Sequence, residues 1–383
     1  MIALNIILAF VALVVTVATT PEIIWKDAHE LGLGGLAFAD QVRELPYDRL
    51  PAAAKSSVTP EVWAQSIESA GVHVDFETDA KEIWIHYDLV QNTTLVNMDT
   101  IGVSGVDIFA FDPTNGVFRW LNAWTTVKYP TNEGMIVNYL DFAVDKTLYR
   151  INFPLYNRVS SFRVGVPKDG VKVFSTPTSA APDTKPAPIV WYGTSIAQGK
   201  AAQVPSSAYM TQLNVANYPK IDILNFGFSG NGKMDSAVMA FLNAINPTPA
   251  AYIIDCLPNM TADEVAERTV PLVRGIRATH TGQMMPIVLV ESATYANEWF
   301  NSSAASGQQK KRDALRESYE VLLKEGVRGL QYVYGKALIP NDKPSSIAYQ
   351  VDGTHPTDLG MHSMFLFWTD YINNVLFKSV ERG

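Results

Sequence analysis

The spacing of apolar residues in this chain changes once, at residues 175–188, and that change constrains the fold more than any single motif does. Before it, residues 72–174 follow a period of two. Val72, Val74 and Phe76 alternate with His73 and Asp75, and Thr78-Asp79-Ala80 then turns the chain into a second alternating run, 82–87, which predicts a hairpin. Residues 105–111 and 117–124 predict another, joined by Asp112-Pro113-Thr114-Asn115-Gly116, where proline fixes one φ and glycine allows a positive one. Short runs at 150–153, 161–166 and 171–174 complete an all-β half, best packed as a sandwich. After the change, apolar runs at 189–192, 221–226, 251–256, 286–291 and 330–334 alternate with helical stretches, among them 234–244, 262–278 and 310–324. Alternating β and α segments predict a parallel sheet covered on both faces, with ligands at the carboxyl ends of its strands. The Pro, Thr, Ser and Ala residues between the halves disfavour regular pairing and mark a linker.

At 383 residues the chain is long enough for two cores. Residues 2–18 carry no charge, are rich in Leu, Val, Ile and Ala, and place Thr16 and Ala18 where a signal peptidase would cut. The expected organisation is a signal peptide over 1–18, a β-sandwich over 19–174, a linker over 175–187 and an α/β domain over 188–383. The chain is expected to be secreted, with no membrane span unless the signal stays uncleaved. Cys256, the single cysteine, lies in an apolar strand pattern and is expected to be buried. A net charge of −8 and an absence of basic runs interleaved with aromatics argue against a nucleic-acid partner. The histidines show no metal-ligand spacing, so neither metal nor other cofactor is expected, and His362 reads as structural. Asn92, Asn259 and Asn301 each begin a glycosylation sequon.

The chemistry-bearing candidates fall directly after strands. Ser195 follows the first strand of the second half, Gly230 and Asn231 the second, and Asn259 the third; Asp352 and His355 follow the last by a longer loop and are expected to open the C-terminal helix. His355 can take the proton of Ser195 while Asp352 or a nearby carbonyl fixes the imidazole tautomer, which is the logic of an activated serine and points to acyl transfer. Each feature alone has an ordinary structural reading as a cap, a turn or a tight corner. Their convergence on one sheet edge is what carries weight.

Gly193-Thr194-Ser195-Ile196, the glycine-rich block 225–232 around Gly230, Asn259 and Asp352-x-x-His355 resemble, in order and spacing, the four blocks of the SGNH (GDSL-type) hydrolases. The resemblance covers nearly all of 188–383. In the first half, Tyr47-Asp48-Arg49-Leu50-Pro51 and Gly105-Val106-Asp107-Ile108-Phe109 resemble the β-sandwich module that precedes this domain in one branch of the family. The resemblance implies a three-layer α/β/α, flavodoxin-like domain behind a jelly-roll-like sandwich. It implies an esterase with Ser195 as nucleophile, His355 as base and then acid, and Asp352 as orienting carboxylate. The N–H groups of Ser195 and Gly230 and the Asn259 amide would form the oxyanion hole, so Asn259 is expected to stay unglycosylated. The implied substrates are carboxylic esters, with acetyl groups on a polysaccharide preferred by analogy with carbohydrate esterases.

Other readings compete. The segment 227–233 fits G-x-x-x-x-G-K, but Met234 stands where magnesium coordination needs a hydroxyl, which disfavours an NTPase. No G-x-S-x-G elbow surrounds a serine, which disfavours an α/β-hydrolase. An acyltransferase would use the same residues. A non-catalytic glycan binder would use Trp120 and Trp124 as stacking surfaces, although aromatics in alternating strands more often fill a core.

Overall fold

The computed structural model describes residues 21–38, 41–138, 146–178, 187–281, 284–341 and 347–378. The expected signal peptide and most of the expected linker lie outside the described residues. Among the described residues, the first half builds ten strands: β1 (Ile23–Asp27), β2 (Gly32–Gly34), β3 (His73–Thr78), β4 (Ile83–Leu89), β5 (Asp107–Asp112), β6 (Val117–Ala123), β7 (Thr131–Val137), β8 (Thr147–Asn152), β9 (Val159–Pro167) and β10 (Phe174–Ser175). Helices α1 (Pro60–Ser66) and α2 (Thr100–Ser104) lie between them in sequence. One antiparallel sheet runs β1-β9-β4-β7; the other runs β10-β3-β8-β5-β6, with β2 also on β3. Val74 and Phe76 from one sheet pack with Ile85, Tyr87, Phe162 and Val164 from the other, so the sandwich is present.

The hairpin expected at 72–87 does not form. β3 and β4 belong to opposite sheets, so the turn between them carries the chain across the core. The alternation misled because both faces of β3 are buried: Val74 and Phe76 face the sandwich core, while Asp75 pairs with Arg150, whose guanidinium lies 4.9 Å from the ring of Tyr218 in the second half. The hairpin of β5 and β6 does form, with Gly116 at φ +68° and Asp112 Oδ1 accepting from the N–H groups of Thr114 and Asn115.

The second half contains a parallel five-stranded sheet of β11 (Ile189–Gly193), β12 (Ile223–Gly227), β13 (Ala251–Asp255), β14 (Ile287–Val290) and β15 (Leu330–Val333), in the order β12-β11-β13-β14-β15. Its helices are α3 (Ser195–Gln198), α4 (Tyr209–Ala216), α5 (Ser236–Leu242), α6 (Ala262–Thr279), α7 (Ser302–Lys324) and α8 (Asp358–Tyr371). Val190 and Tyr192 of β11 pack on one side with α5, α6 and α7; Ile189 and Trp191 pack on the other with α4 and α8. Successive strand residues are thus both buried, as a sheet covered on two faces requires. Cys256 is buried. The order reverses beside β11, so the loops after β11 and β13 open a crevice at the carboxyl edge.

The halves are joined by buried polar contacts that come from the two motifs of the first half. Arg49 is 2% exposed; its guanidinium donates from Nη1 to the carbonyls of Asn225 and Gly227, from Nε to that of Glu68 and from Nη2 to that of Gln65. Asn225 and Gly227 lie on β12, an edge strand whose outward carbonyls would otherwise lack partners. Asp107 accepts from Asn152 Nδ2 and from the N–H of Ser206 in the second half; its complete burial raises its carboxyl to about 6, against the lowering effect of those donors. Arg49→Met should strand several buried carbonyls at roughly 1–3 kcal/mol each, and so lower stability by at least about 3 kcal/mol in denaturant unfolding.

Candidate active site

Ser195 sits where β11 ends and α3 begins. Thr194 caps the helix, its Oγ1 accepting from the Ile196 N–H, and Ser195 takes the first helical position with only 6% of its surface exposed. The hydroxyl points at His355: Oγ lies 2.9 Å from Nε2. On the other side of the imidazole, Nδ1 lies 2.7 Å from Asp352 Oδ2. Three residues separated by up to 160 positions therefore form one continuous hydrogen-bonded chain.

Asp352 does not open a helix, as the spacing had suggested, and neither does His355. Thr357 caps α8, which begins at Asp358, and Pro356 disfavours a helical conformation at His355. The Asp352 carboxylate instead organises its own loop. Oδ1 accepts from the N–H groups of Thr354 at 3.0 Å and His355 at 2.8 Å, so the residue that holds the ring also fixes the backbone carrying it. Partial burial pushes this carboxyl up, but the His355 and Thr354 donors and the imidazole charge outweigh it and hold it at about 2. A depressed carboxyl adds stability above its unfolded pKa of ~3.9, and that contribution is lost as pH falls through about 2. The ionised carboxylate keeps the proton on Nδ1 and leaves Nε2 free to accept from Ser195.

The loop after β12 lies against the Ser195 turn. Phe228 N–H donates to the Gly193 carbonyl, Ser229 N–H to Gln198 Oε1, and the Asn231 and Gly232 N–H groups to the Phe228 carbonyl. Among the described residues, the Gly230 N–H is the one amide of 228–232 left without an acceptor. Gly230 has φ +74°, a conformation in which glycine carries no steric penalty. Gly232 is required for another reason: a Cβ there would lie 1.9 Å from the Gly193 carbonyl oxygen, so the loop could not close on β11. Asn259, on the turn after β13, donates from Nδ2 to the Phe228 carbonyl at 3.2 Å, which leaves its second amide hydrogen unassigned. This loop does not resemble a phosphate cradle, because most of its N–H groups are already used and the Met234 side chain is buried.

Several residues that the sequence did not single out hold these parts together. Gln198, on α3, accepts from Ser229 through Oε1 and donates from Nε2 to Glu68 and to the Leu155 carbonyl. Tyr156 donates to the Ser195 carbonyl. Burial pushes the Glu68 carboxyl up to about 7, against the pull of Arg49, Gln198 and Lys200. Glu68, Leu155 and Tyr156 come from the first half, so both halves support the Ser195 turn and the Gly230 loop. The sequence signals for this interface were Arg49 within the Tyr47–Pro51 motif and Asp107 within the Gly105–Phe109 motif. Among the described residues, no three His, Cys, Asp or Glu side chains gather as metal ligands, and no helix is long and apolar enough to cross a membrane.

A parallel sheet with a serine, an imidazole and a carboxylate joined by hydrogen bonds at its carboxyl edge defines an SGNH-type α/β architecture. Residues 185–373 match the GDSL-like lipase/acylhydrolase family, and residues 23–171 match the N-terminus of SGNH-hydrolase-type esterases; the chain belongs to this hydrolase family. A candidate GDSL-like lipase from Bacteroides ovatus is 26% identical, with a TM-score of 0.82 over 94% of this chain and 98% of that one. A salicylyl-acyltransferase from a tetracycline biosynthetic pathway is 16% identical, with a TM-score of 0.68 over 93% and 98%. An acetyl xylan esterase from the rumen bacterium Butyrivibrio proteoclasticus is 9% identical, with a TM-score of 0.51 over 92% and 98%. The last two likenesses are of fold alone. No protein with curated function is similar enough in sequence to rank as a relative.

Proposed function

We propose that this protein is a serine esterase that hydrolyses carboxylic esters through an acyl-enzyme on Ser195. The observation that carries the reading is the chain Ser195 Oγ, His355 Nε2, His355 Nδ1 and Asp352 Oδ2, with contacts of 2.9 and 2.7 Å. Ser195 Oγ bonds to the ester carbonyl carbon as its proton passes to Nε2. The tetrahedral intermediate places negative charge on the former carbonyl oxygen, toward the free Gly230 N–H, the Ser195 N–H and the second amide hydrogen of Asn259. Such fixed donors stabilise charge without reorganising. The C–O bond to the alcohol breaks, and the imidazolium returns its proton to that oxygen. Water then attacks the acyl-enzyme and gives a proton to Nε2; the bond from the acyl carbon to Oγ breaks, the imidazolium returns that proton to Oγ, and the carboxylic acid leaves with Ser195 and His355 restored.

Short acyl esters on carbohydrate are the substrates we favour, and the apolar residues 2–18 support secretion. In a secreted chain, the exposed Asn92 and Asn301 are the glycan acceptors. Asn259 is not one, because one amide hydrogen is engaged by Phe228 and a glycan would replace the other. A purely glycan-binding role gains little from the two tryptophans. Trp124 packs against the sandwich core with its N–H donated to Asn132 Oδ1, and only Trp120 is exposed.

The test is labelling with a fluorophosphonate, followed by rates on p-nitrophenyl esters of increasing acyl length and on acetylated xylan. Labelling at Ser195 and rates that fall beyond the shortest acyl groups are expected. Absence of labelling would overturn the esterase, and products in which an added alcohol outcompetes water would make the protein an acyltransferase.

A further inference from the structure

Among the described residues, the Asp352 carboxylate has four donors. Three come from its own loop: the Thr354 N–H, the His355 N–H and His355 Nδ1. The fourth comes from the β-sandwich half, 255 positions away: Asn97 Nδ2 lies 3.2 Å from Oδ2, the same oxygen that holds the imidazole. We propose that Asn97 is a positioning residue for the catalytic carboxylate, so that the sandwich half completes the active site. This rests on the esterase reading above.

Two features show that Asn97 is held in place for this contact. Its backbone has φ +66°, a left-handed conformation that costs most side chains energy but that asparagine adopts more readily than most. The chain on its C-terminal side is also anchored to the second half. Asp99 caps α2 through the Ile101 N–H, and Gly102 of α2 packs so closely on Ala202 that a Cβ would lie 2.1 Å from the Ala202 carbonyl oxygen. Met98 packs against the cluster of Ala70, Val103, Leu155, Tyr156, Ala202 and Ala208, which draws on both halves.

A donor on Oδ2 has two consequences for the chemistry. It stops the carboxylate from rotating away from Nδ1, and it withdraws negative charge from the oxygen that makes the imidazole basic. The other charged groups facing Asp352 are His355 and Lys200, whose ammonium lies 5.5 Å from the Tyr156 ring on the first-half side. Neither of these residues is itself replaced when Asn97 is substituted.

The test compares Asn97→Gly, Asn97→Ala and Asn97→Asp in the full chain, using p-nitrophenyl acetate across pH. Glycine tolerates the left-handed backbone and removes the side chain that carries the amide. Asn97→Gly and Asn97→Ala should both lose roughly 10-fold in kcat with KM little changed. The acid limb of kcat/KM should move to higher pH, by about half a unit, because Oδ2 no longer shares its charge. Asn97→Asp, which adds a second negative charge beside Oδ2, should move that limb further in the same direction. If Asn97→Gly keeps the wild-type rate and profile, the residue is a turn former and the proposal fails. If the wild-type protein itself is inactive on esters, the esterase reading fails first, so the two failures are distinguishable.

Discussion

Ser195→Ala should lower kcat by three or more orders of magnitude while leaving the thermal unfolding midpoint almost unmoved. The hydroxyl contributes nothing to the cap of α3, which Thr194 supplies, and alanine suits the first turn of a helix. His355→Ala should be about as damaging. The double variant should be scarcely worse than either single one, because a nucleophile and its base act as one unit and their effects do not add. The residual rate in all three should still exceed that of water, since the Gly230 and Asn259 donors remain. Single-turnover rates on a p-nitrophenyl ester check this directly. Losses that multiply in the double variant would mean that the 2.9 Å contact between Oγ and Nε2 is incidental to the chemistry.

How much of this could be read from the sequence depends on the distance over which each feature is determined. The five parallel strands lie within two residues of their expected positions, because a strand buried on both faces leaves a continuous apolar run between turn residues. Ser195, Asp352 and His355 meet as expected, because the carboxyl edge of such a sheet brings together loops that are far apart in sequence. Helix α7 begins at Ser302, well before the expected 310, since its first turns are small polar residues without periodicity; the one local sign was Asn301, which caps it through the Ala304 N–H. β1, β7, α1 and α4 were not anticipated. β1 becomes a strand only by pairing with β9, more than 130 positions later, and nothing local announces that pairing. The same reason hid Gln198, Tyr156, Glu68 and Asn97. Each has an unremarkable sequence context, and its role arises from a contact between the halves. Arg49 was visible within a motif, but its function as a cap on the open edge of β12 needed the fold.

Asn259→Ala should reduce kcat by roughly 10²- to 10³-fold with KM little changed, because an oxyanion donor interacts more strongly with the transition state than with the ground-state ester. The structure gives the side chain a second task, since Nδ2 also donates to the Phe228 carbonyl, on which the Asn231 and Gly232 N–H groups converge. Loss of the amide therefore removes one donor and loosens the loop that carries another, the Gly230 N–H. Both effects act on kcat. A residue that only shaped the loop would instead show its loss mainly in thermal stability. The sequon provides an independent control, provided that the helix is respected. Thr261 caps α6, accepting from the Glu264 N–H while Glu264 accepts from the Thr261 N–H, so Thr261→Val would abolish the sequon at a cost of about 1 kcal/mol in helix capping. Thr261→Asn abolishes the sequon and keeps a good cap. That variant should retain full activity and show no mass change on deglycosylation at Asn259. An inactive but folded Thr261→Asn, or a glycan mapped to Asn259 in active enzyme, would remove Asn259 from the oxyanion hole and leave the charge to the Ser195 and Gly230 amides alone.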